Sequence, residues 1–194
     1  MKPLLLKSAK ESATTSRVIA ISSAGHRIAP VNFDNVNYTE ETYNPYAAYG
    51  QAKTANILTT NAINRYYGGQ GLVGVSIHPG GIAATGLWKS VNVEELAATG
   101  DADALAKSFK SAEQGAATTT WAAVSSRFAD AANAGRLLGD VGECRAAKEE
   151  EALDYLSYAP WAYDEAGEDR LWEISSEMVG ISARLTDANP AKGT

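Results

Sequence analysis

The sequence contains very little cysteine and histidine. Its 194 residues include one cysteine, Cys144, and two histidines. A single cysteine excludes an intrachain disulfide, so packing must hold the fold, as is usual in a reducing compartment. No histidine stands at metal-ligand spacing from Cys144. The sequence therefore predicts no disulfide framework and no metal site.

Basic charge and long apolar runs are also scarce. The chain has 17 lysine and arginine residues against 23 aspartate and glutamate residues, a net charge of -6, and no basic cluster that would attract a phosphate backbone. No segment approaches the roughly 20 apolar residues needed to cross a bilayer. The apolar run within Met1–Leu6 gives way to polar residues too soon for a signal peptide. We therefore expect a soluble, cytoplasmic protein with no nucleic-acid partner and no membrane span.

The apolar content of the chain is enough for one hydrophobic core. Hydrophobic residues make up 45% of the sequence, and the length is close to that of a single domain. We predict that residues 1–185 form one domain and that residues 186–194 form a disordered tail.

The spacing of apolar residues predicts alternating strands and helices. Two short β-branched runs are typical of buried parallel strands, and the helix between them begins at Asn44-Pro45, an amino-terminal cap followed by proline at the first helical position. Strand, helix and strand in this order form a parallel crossover, so we predict an α/β fold. The predicted elements are a helix at Lys2–Lys10, a strand at Arg17–Ser22, a surface loop at 26–44, a helix at Pro45–Tyr67, a strand at Leu72–Ile77, a long helix at Ala104–Phe128, a short strand at Gly135–Gly139 and a final helix at Tyr163–Val179.

Three polar residues fall where chemistry is expected. Ser23 follows the first predicted strand, and Tyr49 and Lys53 stand one turn apart on the next helix, so the ammonium can lie beside the phenol. A positive charge there favours the phenolate, which suits the tyrosine to exchange a proton with a substrate oxygen while hydride moves at the neighbouring carbon. Tyr43 and Tyr46 have no lysine four residues later. The spacing therefore favours Tyr49.

The motifs around these residues resemble three consecutive landmarks of the short-chain dehydrogenase/reductase family. They are Ile21-Ser22-Ser23, Tyr49-Gly50-Gln51-Ala52-Lys53 and His78-Pro79-Gly80, in the family's order. The sequence is most similar to the retinol-dehydrogenase-like and WW-domain oxidoreductase-like branch, including its fungal members, and the likeness extends from Leu4 to about Gly180. The resemblance implies the carboxy-terminal half of a Rossmann-like, doubly wound parallel sheet.

The same resemblance implies a role for each motif. Tyr49 would be the acid/base, Lys53 would also bind the nicotinamide ribose, and Ser23 would orient the substrate oxygen. The function implied is an NAD(P)-dependent oxidoreductase that interconverts an alcohol and a carbonyl. The further cofactor-binding positions implied are Pro79, Gly80, Ile82 and Thr85, the threonine standing one place later than in the family pattern.

Family likeness also suggests where substrate and a second subunit would bind. The stretch from Gly86 to Gly100 would be the substrate lid, with Leu87 and Trp88 as apolar contacts to a small alcohol or carbonyl. Helices 45–67 and 104–128 would form the surface of a homodimer.

One part of the family pattern is missing from the sequence. A complete member begins with a strand, a Gly-x-x-x-Gly-x-Gly turn and a helix that together hold the cofactor's pyrophosphate. The only similar spelling, Gly69 to Gly74, leads from a helix into a strand, which is the reverse of the required context. We therefore expect an amino-terminally truncated member whose first strand, Arg17–Ser22, has an open edge.

Two other functions remain open. A truncated chain could be an inactive remnant or an interaction module that cannot bind NAD or NADP. A nucleotide-sugar epimerase shares the Tyr-x-x-x-Lys motif, but its substrate domain should be longer. Of the two histidines, we interpret His78 as structural and His26 as a polar residue satisfied within the loop, with substrate contact by His26 as the alternative.

Overall fold

The computed structural model describes residues 1–82, 84–86, 109–148 and 155–181. Within these ranges, parallel strands and helices alternate as the sequence predicts. The predicted substrate contacts Leu87 and Trp88 and the predicted tail at 186–194 lie outside the described residues.

The main sheet has four strands in the order β1-β2-β3-β4. The first three strands are parallel and β4 is antiparallel to β3. Two further short strands, β5 and β6, pair in a separate small sheet. The bounds are β1 Ser16–Ile21, β2 Leu72–His78, β3 Leu137–Gly139, β4 Gly142–Glu143, β5 Arg145–Ala146 and β6 Ser157–Tyr158.

Four α-helices accompany the strands within the described residues. They are α1 Lys2–Ser12, α2 Pro45–Tyr67, α3 Ala112–Val124 and α4 Glu165–Met178. None of the helices among the described residues is long and apolar enough to cross a membrane.

Helix α2 has the predicted bounds because both of its ends are encoded locally. The Asn44 side chain accepts a hydrogen bond from the Ala47 amide, and Pro45 occupies the first turn, where no amide donor is required. At the other end a short 3-10 turn, Gly68–Gln70, leads into β2. The segment Gly69 to Gly74 therefore connects a helix to a strand, as the sequence indicates, and is not a dinucleotide-binding turn.

The two faces of β2 pack against helices on opposite sides of the sheet. Val73, Val75 and Ile77 share a core with Ala122 of α3 and with Phe128. Successive residues of a strand point to opposite faces, so Gly74 and Ser76 face the other side of the sheet. The α/β class and the doubly wound parallel arrangement are thus confirmed.

Gly74 marks the contact between β2 and α2. A β-carbon built on Gly74 would lie 2.1 Å from the carbonyl oxygen of Thr60. Only glycine allows the helix backbone to approach the strand this closely. This contact places the amino-terminal half of α2, where Tyr49 and Lys53 lie, beside the end of β1.

The prediction of one long helix at Ala104–Phe128 is right for Ala112–Val124 and wrong at both ends of its described part. Phe109 forms a bridge with Gly81, and the helix begins only at Ala112. Ser111 and Gln114 form a capping box there, which satisfies the amides of the first turn and starts the helix at this point. Phe128, which has helical spacing, lies in a 3-10 turn instead.

Smaller differences have similar causes. The final helix begins at Glu165 rather than Tyr163, because Asp164 caps it by accepting a hydrogen bond from the Ala166 amide. Strands β4, β5 and β6 were not predicted. Each has two residues, too few to show a period in the sequence.

Strand β1 is an edge of the sheet in the part of the chain that the structure describes. Its residues pair in register with β2, from Ser16 with Leu72 to Ile21 with Ile77, and no described strand lies on its other side. Ile21, at the end of the strand, is 43% exposed.

Candidate active site

The side chains of Ser23 and Tyr49 both lie beside Gly25. A β-carbon built on Gly25 would lie 2.6 Å from Cε1 of Tyr49 and 3.4 Å from Oγ of Ser23. The glycine belongs to a 3-10 turn, Ala24–Arg27, that follows β1, whereas the tyrosine lies in the second turn of α2. The absence of a side chain at Gly25 therefore allows the aromatic ring to approach the serine.

Ser23 caps the turn that contains Gly25. Its hydroxyl oxygen accepts a hydrogen bond of 3.0 Å from the Gly25 amide. A hydroxyl accepts through its lone pairs and still has one hydrogen to donate. The side chain is half-buried, which leaves it open to a ligand.

Ser22, the other serine of the pair, is used differently. It is 2% exposed, and its hydroxyl donates a 2.8 Å hydrogen bond to the carbonyl oxygen of Lys53. This bond fixes the end of β1 to α2. Ser22 is thus a structural link, and Ser23 is the serine whose hydroxyl lies beside Gly25, where the Tyr49 ring also packs.

Lys53 is held beside Tyr49 by the end of β1. The ammonium nitrogen lies 5.5 Å from the centroid of the Tyr49 ring and donates to the carbonyl oxygen of Ile21 at 3.1 Å. The side-chain amide of Asn56 donates to the same carbonyl oxygen through Nδ2 at 3.0 Å. The structure therefore brings together the three residues that the motifs single out as catalytic, at the carboxyl end of β1.

Sequence reasoning did not find Asn56 or Gly25. Asn56 lies three residues after Lys53, so it extends the same helical face, and this spacing was a usable signal. The role of Gly25 depends on the packing of a loop against α2, which no local pattern shows.

The Pro79-Gly80 turn follows β2 beside this site. Gly80 has φ +87°, and the side chain of Lys110 covers it, so that a β-carbon there would be 2.8 Å from Cδ of the lysine. The Lys110 ammonium forms a 3.0 Å ion pair with Asp140. The turn is therefore held by a neighbouring charged pair.

Ile82 and Thr85 lie beyond this turn. The Ile82 side chain packs on Gly115 of α3, where a β-carbon would be 2.1 Å from Cδ1 of the isoleucine. The Thr85 hydroxyl donates to the carbonyl oxygen of Ile82 at 3.0 Å and is exposed. The Ile82 side chain is therefore turned toward α3, and its backbone lies just beyond the Pro79-Gly80 turn.

Both histidines of the chain are buried at this end of the sheet. His26 is 0% exposed and His78 is 8% exposed. Burial, the Lys110 ammonium and His26 lower the pKa of His78 to about 4, although Asp140 opposes the shift. Burial, and to a smaller extent Arg27, also lowers the pKa of His26 despite its hydrogen bond to the Ser23 backbone. Both imidazoles are therefore neutral at pH 7.

The fold and these residues define an α/β protein with a serine, a tyrosine and a lysine gathered at the carboxyl end of a parallel strand. No protein-family model matches the chain. It is 42% identical over 167 residues to a short-chain dehydrogenase/reductase, prx1, of Penicillium roqueforti, which covers 86% of this chain and 48% of that protein. The chain belongs to the short-chain dehydrogenase/reductase family.

Other relatives agree with this assignment. Human retinol dehydrogenase 13 is 33% identical over 191 residues, 96% of this chain and 52% of that protein. Oxidoreductase calI of Penicillium decumbens is 34% identical over 180 residues. The predicted family and its retinol-dehydrogenase-like branch are thus confirmed. The chain spans about half the length of the curated relatives it matches.

A solved structure is similar in fold. The crystal structure of an uncharacterised protein from Mycobacterium paratuberculosis matches with a TM-score of 0.56 and 24% identity, over 86% of this chain and 51% of that one. This likeness supports the α/β fold alone.

Proposed function

We propose that this chain supplies the acid/base residues of an NAD(P)-dependent oxidoreductase that interconverts an alcohol and a carbonyl. The observation that carries the proposal is the packing of Ser23 and Tyr49 beside Gly25, with the Lys53 ammonium 5.5 Å from the centroid of the Tyr49 ring. The relatives named as dehydrogenases and oxidoreductases support the same class of reaction.

Each of the three residues takes part in the proton transfer of this proposal. Tyr49 donates a proton to the carbonyl oxygen during reduction, or removes the hydroxyl proton during oxidation. Lys53 stabilises the phenolate that remains after the proton has left. Ser23 donates its hydroxyl hydrogen to the same substrate oxygen and so holds the reacting carbon in place.

The residues at the carboxyl ends of β1 and β2 fit the nicotinamide end of NAD or NADP. Lys53 uses one of its three N–H groups on the Ile21 carbonyl, which leaves two for ribose hydroxyls. The backbone of Pro79, Gly80 and Ile82 would face the nicotinamide amide, and Thr85 would reach toward the phosphates. The cofactor, when bound, accepts or supplies the hydride. The choice between NAD and NADP stays open.

A second candidate function is that of an interaction module without cofactor. The observation that favours it is the edge of β1, which has no described neighbour on one side. The two candidates differ in dinucleotide binding. For the 194-residue chain alone we expect weak binding or none, and tight NAD(H) or NADP(H) binding in calorimetry would contradict this.

The decisive experiment begins upstream of Met1. We expect the transcript to encode, in frame, a strand, a Gly-x-x-x-Gly-x-Gly turn and a helix, and the encoded protein to oxidise or reduce a panel of alcohols and carbonyls in a nicotinamide absorbance assay. Tyr49→Phe removes only the phenolic oxygen and should lower kcat by about a hundredfold or more. An in-frame stop codon before Met1, or full activity in Tyr49→Phe, would reject the enzymatic proposal.

A further inference from the structure

The peptide bond between Ser23 and Ala24 is held by two histidine side chains. Nδ1 of His26 lies 2.6 Å from the carbonyl oxygen of Ser23. The Ala24 amide donates a 3.2 Å hydrogen bond to Nδ1 of His78. The carbonyl and the amide of one peptide unit are thus bound on opposite sides by two buried rings, an arrangement that we term the histidine clamp.

The bonds of His26 determine its tautomer. Its Nε2 accepts a hydrogen bond of 3.1 Å from the Ala159 amide, so this nitrogen carries no hydrogen. The hydrogen of the neutral ring is therefore on Nδ1, where it is donated to the Ser23 carbonyl. The His26 carbonyl accepts hydrogen bonds from Trp161 and Thr54, both at 3.0 Å, so the residue is fixed through backbone and ring.

His78 must have the opposite tautomer. Its Nδ1 accepts from the Ala24 amide and so carries no hydrogen, which places the hydrogen of the neutral ring on Nε2. His78 is the last residue of β2, so the clamp links the end of this strand to the turn after β1. The turn after Ser23 is thereby attached to the end of β2 through His78 and to the Ala159 amide through His26.

We propose that His26 and His78 are positioning residues that hold the Ser23–Ala24 peptide, and with it the Ser23 hydroxyl, against Tyr49, and that they do so only as neutral rings of opposite tautomer. The effect of the two histidines on catalysis rests on the proposed oxidoreductase function.

Protonation of either ring would remove the hydrogen bond that its unprotonated nitrogen accepts. A second hydrogen on His78 would put an N–H group against the Ala24 amide, and a second hydrogen on His26 would put one against the Ala159 amide. The charged groups facing these rings are Lys110 and Asp140 at His78, and Arg27 at His26. Burial first, and then Lys110 at His78 and Arg27 at His26, lower the pKa of the two rings, although Asp140 opposes the shift at His78.

Nuclear magnetic resonance of the 15N-labelled chain tests the clamp without any assay of activity. Because the sequence has only two histidines, the variants His78→Asn and His26→Gln assign all imidazole signals. We expect the hydrogen of His26 on Nδ1 and that of His78 on Nε2 at pH 7, and no titration of either ring near 6.5. Averaged tautomers, or titration of both rings as in an unstructured peptide, would overturn the proposal.

A pair of amide variants at His78 tests the link to catalysis in the active protein. Asparagine places its oxygen near the position of Nδ1, whereas glutamine places it near Nε2, so His78→Asn retains an acceptor for Ala24 and His78→Gln does not. We expect His78→Gln to lower kcat about tenfold to a hundredfold, with little change in KM, and His78→Asn to restore most of it.

The Ser23→Ala background separates positioning from general damage to the fold. If His78 acts through Ser23, His78→Gln should have little further effect on kcat once Ser23 is alanine. An equal loss in both backgrounds would overturn the catalytic part of the proposal. A wild-type protein without any turnover would reject the proposed function, whereas the tautomers would still decide whether the clamp exists.

Discussion

The ring of Tyr49 lies directly against the α-carbon of Gly25. Alanine at this position would bring its β-carbon to 2.6 Å from Cε1 and 2.9 Å from Cδ1 of the ring, so the ring must move. In the protein encoded by the full transcript, we expect Gly25→Ala to lower kcat by about a hundredfold, because the phenol is displaced from Ser23. The free energy of unfolding should fall by only about 1–2 kcal/mol, since a side chain can shift more easily than backbone.

Gly69→Ala is the control for this variant. A β-carbon on Gly69 would have no atom within 4 Å, so both kcat and stability should remain close to the wild-type values. Steady-state kinetics and urea unfolding on both variants make the comparison. Unchanged kcat in Gly25→Ala would mean that the observed position of the ring is not the reactive one.

A second glycine is expected to matter for folding rather than for chemistry. Alanine at Gly74 would place its β-carbon 2.1 Å from the Thr60 carbonyl oxygen, and neither backbone can shift alone. We expect Gly74→Ala to destabilise the protein by about 3 kcal/mol or more. Gly142→Ala is the matched strand control, because its nearest atom would be 3.6 Å away. Equal urea midpoints for the two variants would contradict a close contact between α2 and β2.

These contacts indicate which features the sequence can predict and which it cannot. The bounds of α2 were predictable because its cap, Asn44, and its first proline are neighbours in the chain. The start of α3 was misplaced because apolar spacing continues across Ser111, although the capping box there is also a local signal. The capping box, rather than the apolar period, determines where the helix begins.

The candidate site also combines features that the sequence predicts with features that it does not. Ser23, Tyr49 and Lys53 were found because strand end, helix spacing and motif order are all readable along the chain. The histidine clamp was not, because the bond from Ala24 to His78 spans 54 positions, and the Ala159 bond that fixes the tautomer of His26 spans 133. Neither histidine stands in a local pattern that indicates such a partner. Contacts of this kind follow from the sheet order and become visible only in the folded chain.

The packing of α4 on α2 gives a further prediction. Arg65 donates a 3.0 Å hydrogen bond to Glu168, whose side chain is only 4% exposed. Burial raises the pKa of Glu168, and the guanidinium of Arg65 opposes this shift. Arg65→Met leaves the buried carboxylate without this partner and should cost about 2–3 kcal/mol at pH 7. The cost should shrink at lower pH, where Glu168 takes up a proton.

A surface ion pair supplies the control. Arg170 contacts Asp34 at 3.1 Å, but the side chains are 54% and 91% exposed. Arg170→Met should therefore change the unfolding free energy by less than about 1 kcal/mol. Urea unfolding at two pH values measures both variants. If their effects are equal, the Arg65–Glu168 pair is not held in the buried arrangement.

The low pKa of His78 makes stability depend on pH in a defined direction. The value is lowered from 6.5 to about 4 in the folded chain, so between these values the unfolded chain binds a proton that the folded chain does not. The contribution of His78 is therefore complete above pH 6.5, declines as the pH falls, and is lost below about pH 4. Between pH 7 and pH 5 this amounts to about 2 kcal/mol. His26 acts in the same direction, because its pKa is also lowered.

His78→Asn isolates this contribution from that of the carboxylates. Asparagine keeps an acceptor for the Ala24 amide but does not titrate, so the variant should lose less stability than the wild type between pH 7 and pH 5. The difference between the two proteins, measured by urea unfolding at several pH values, should grow by about 2 kcal/mol over this range. Parallel curves would mean that His78 titrates alike in the folded and unfolded chains, and that the Ala24 hydrogen bond does not require a neutral ring.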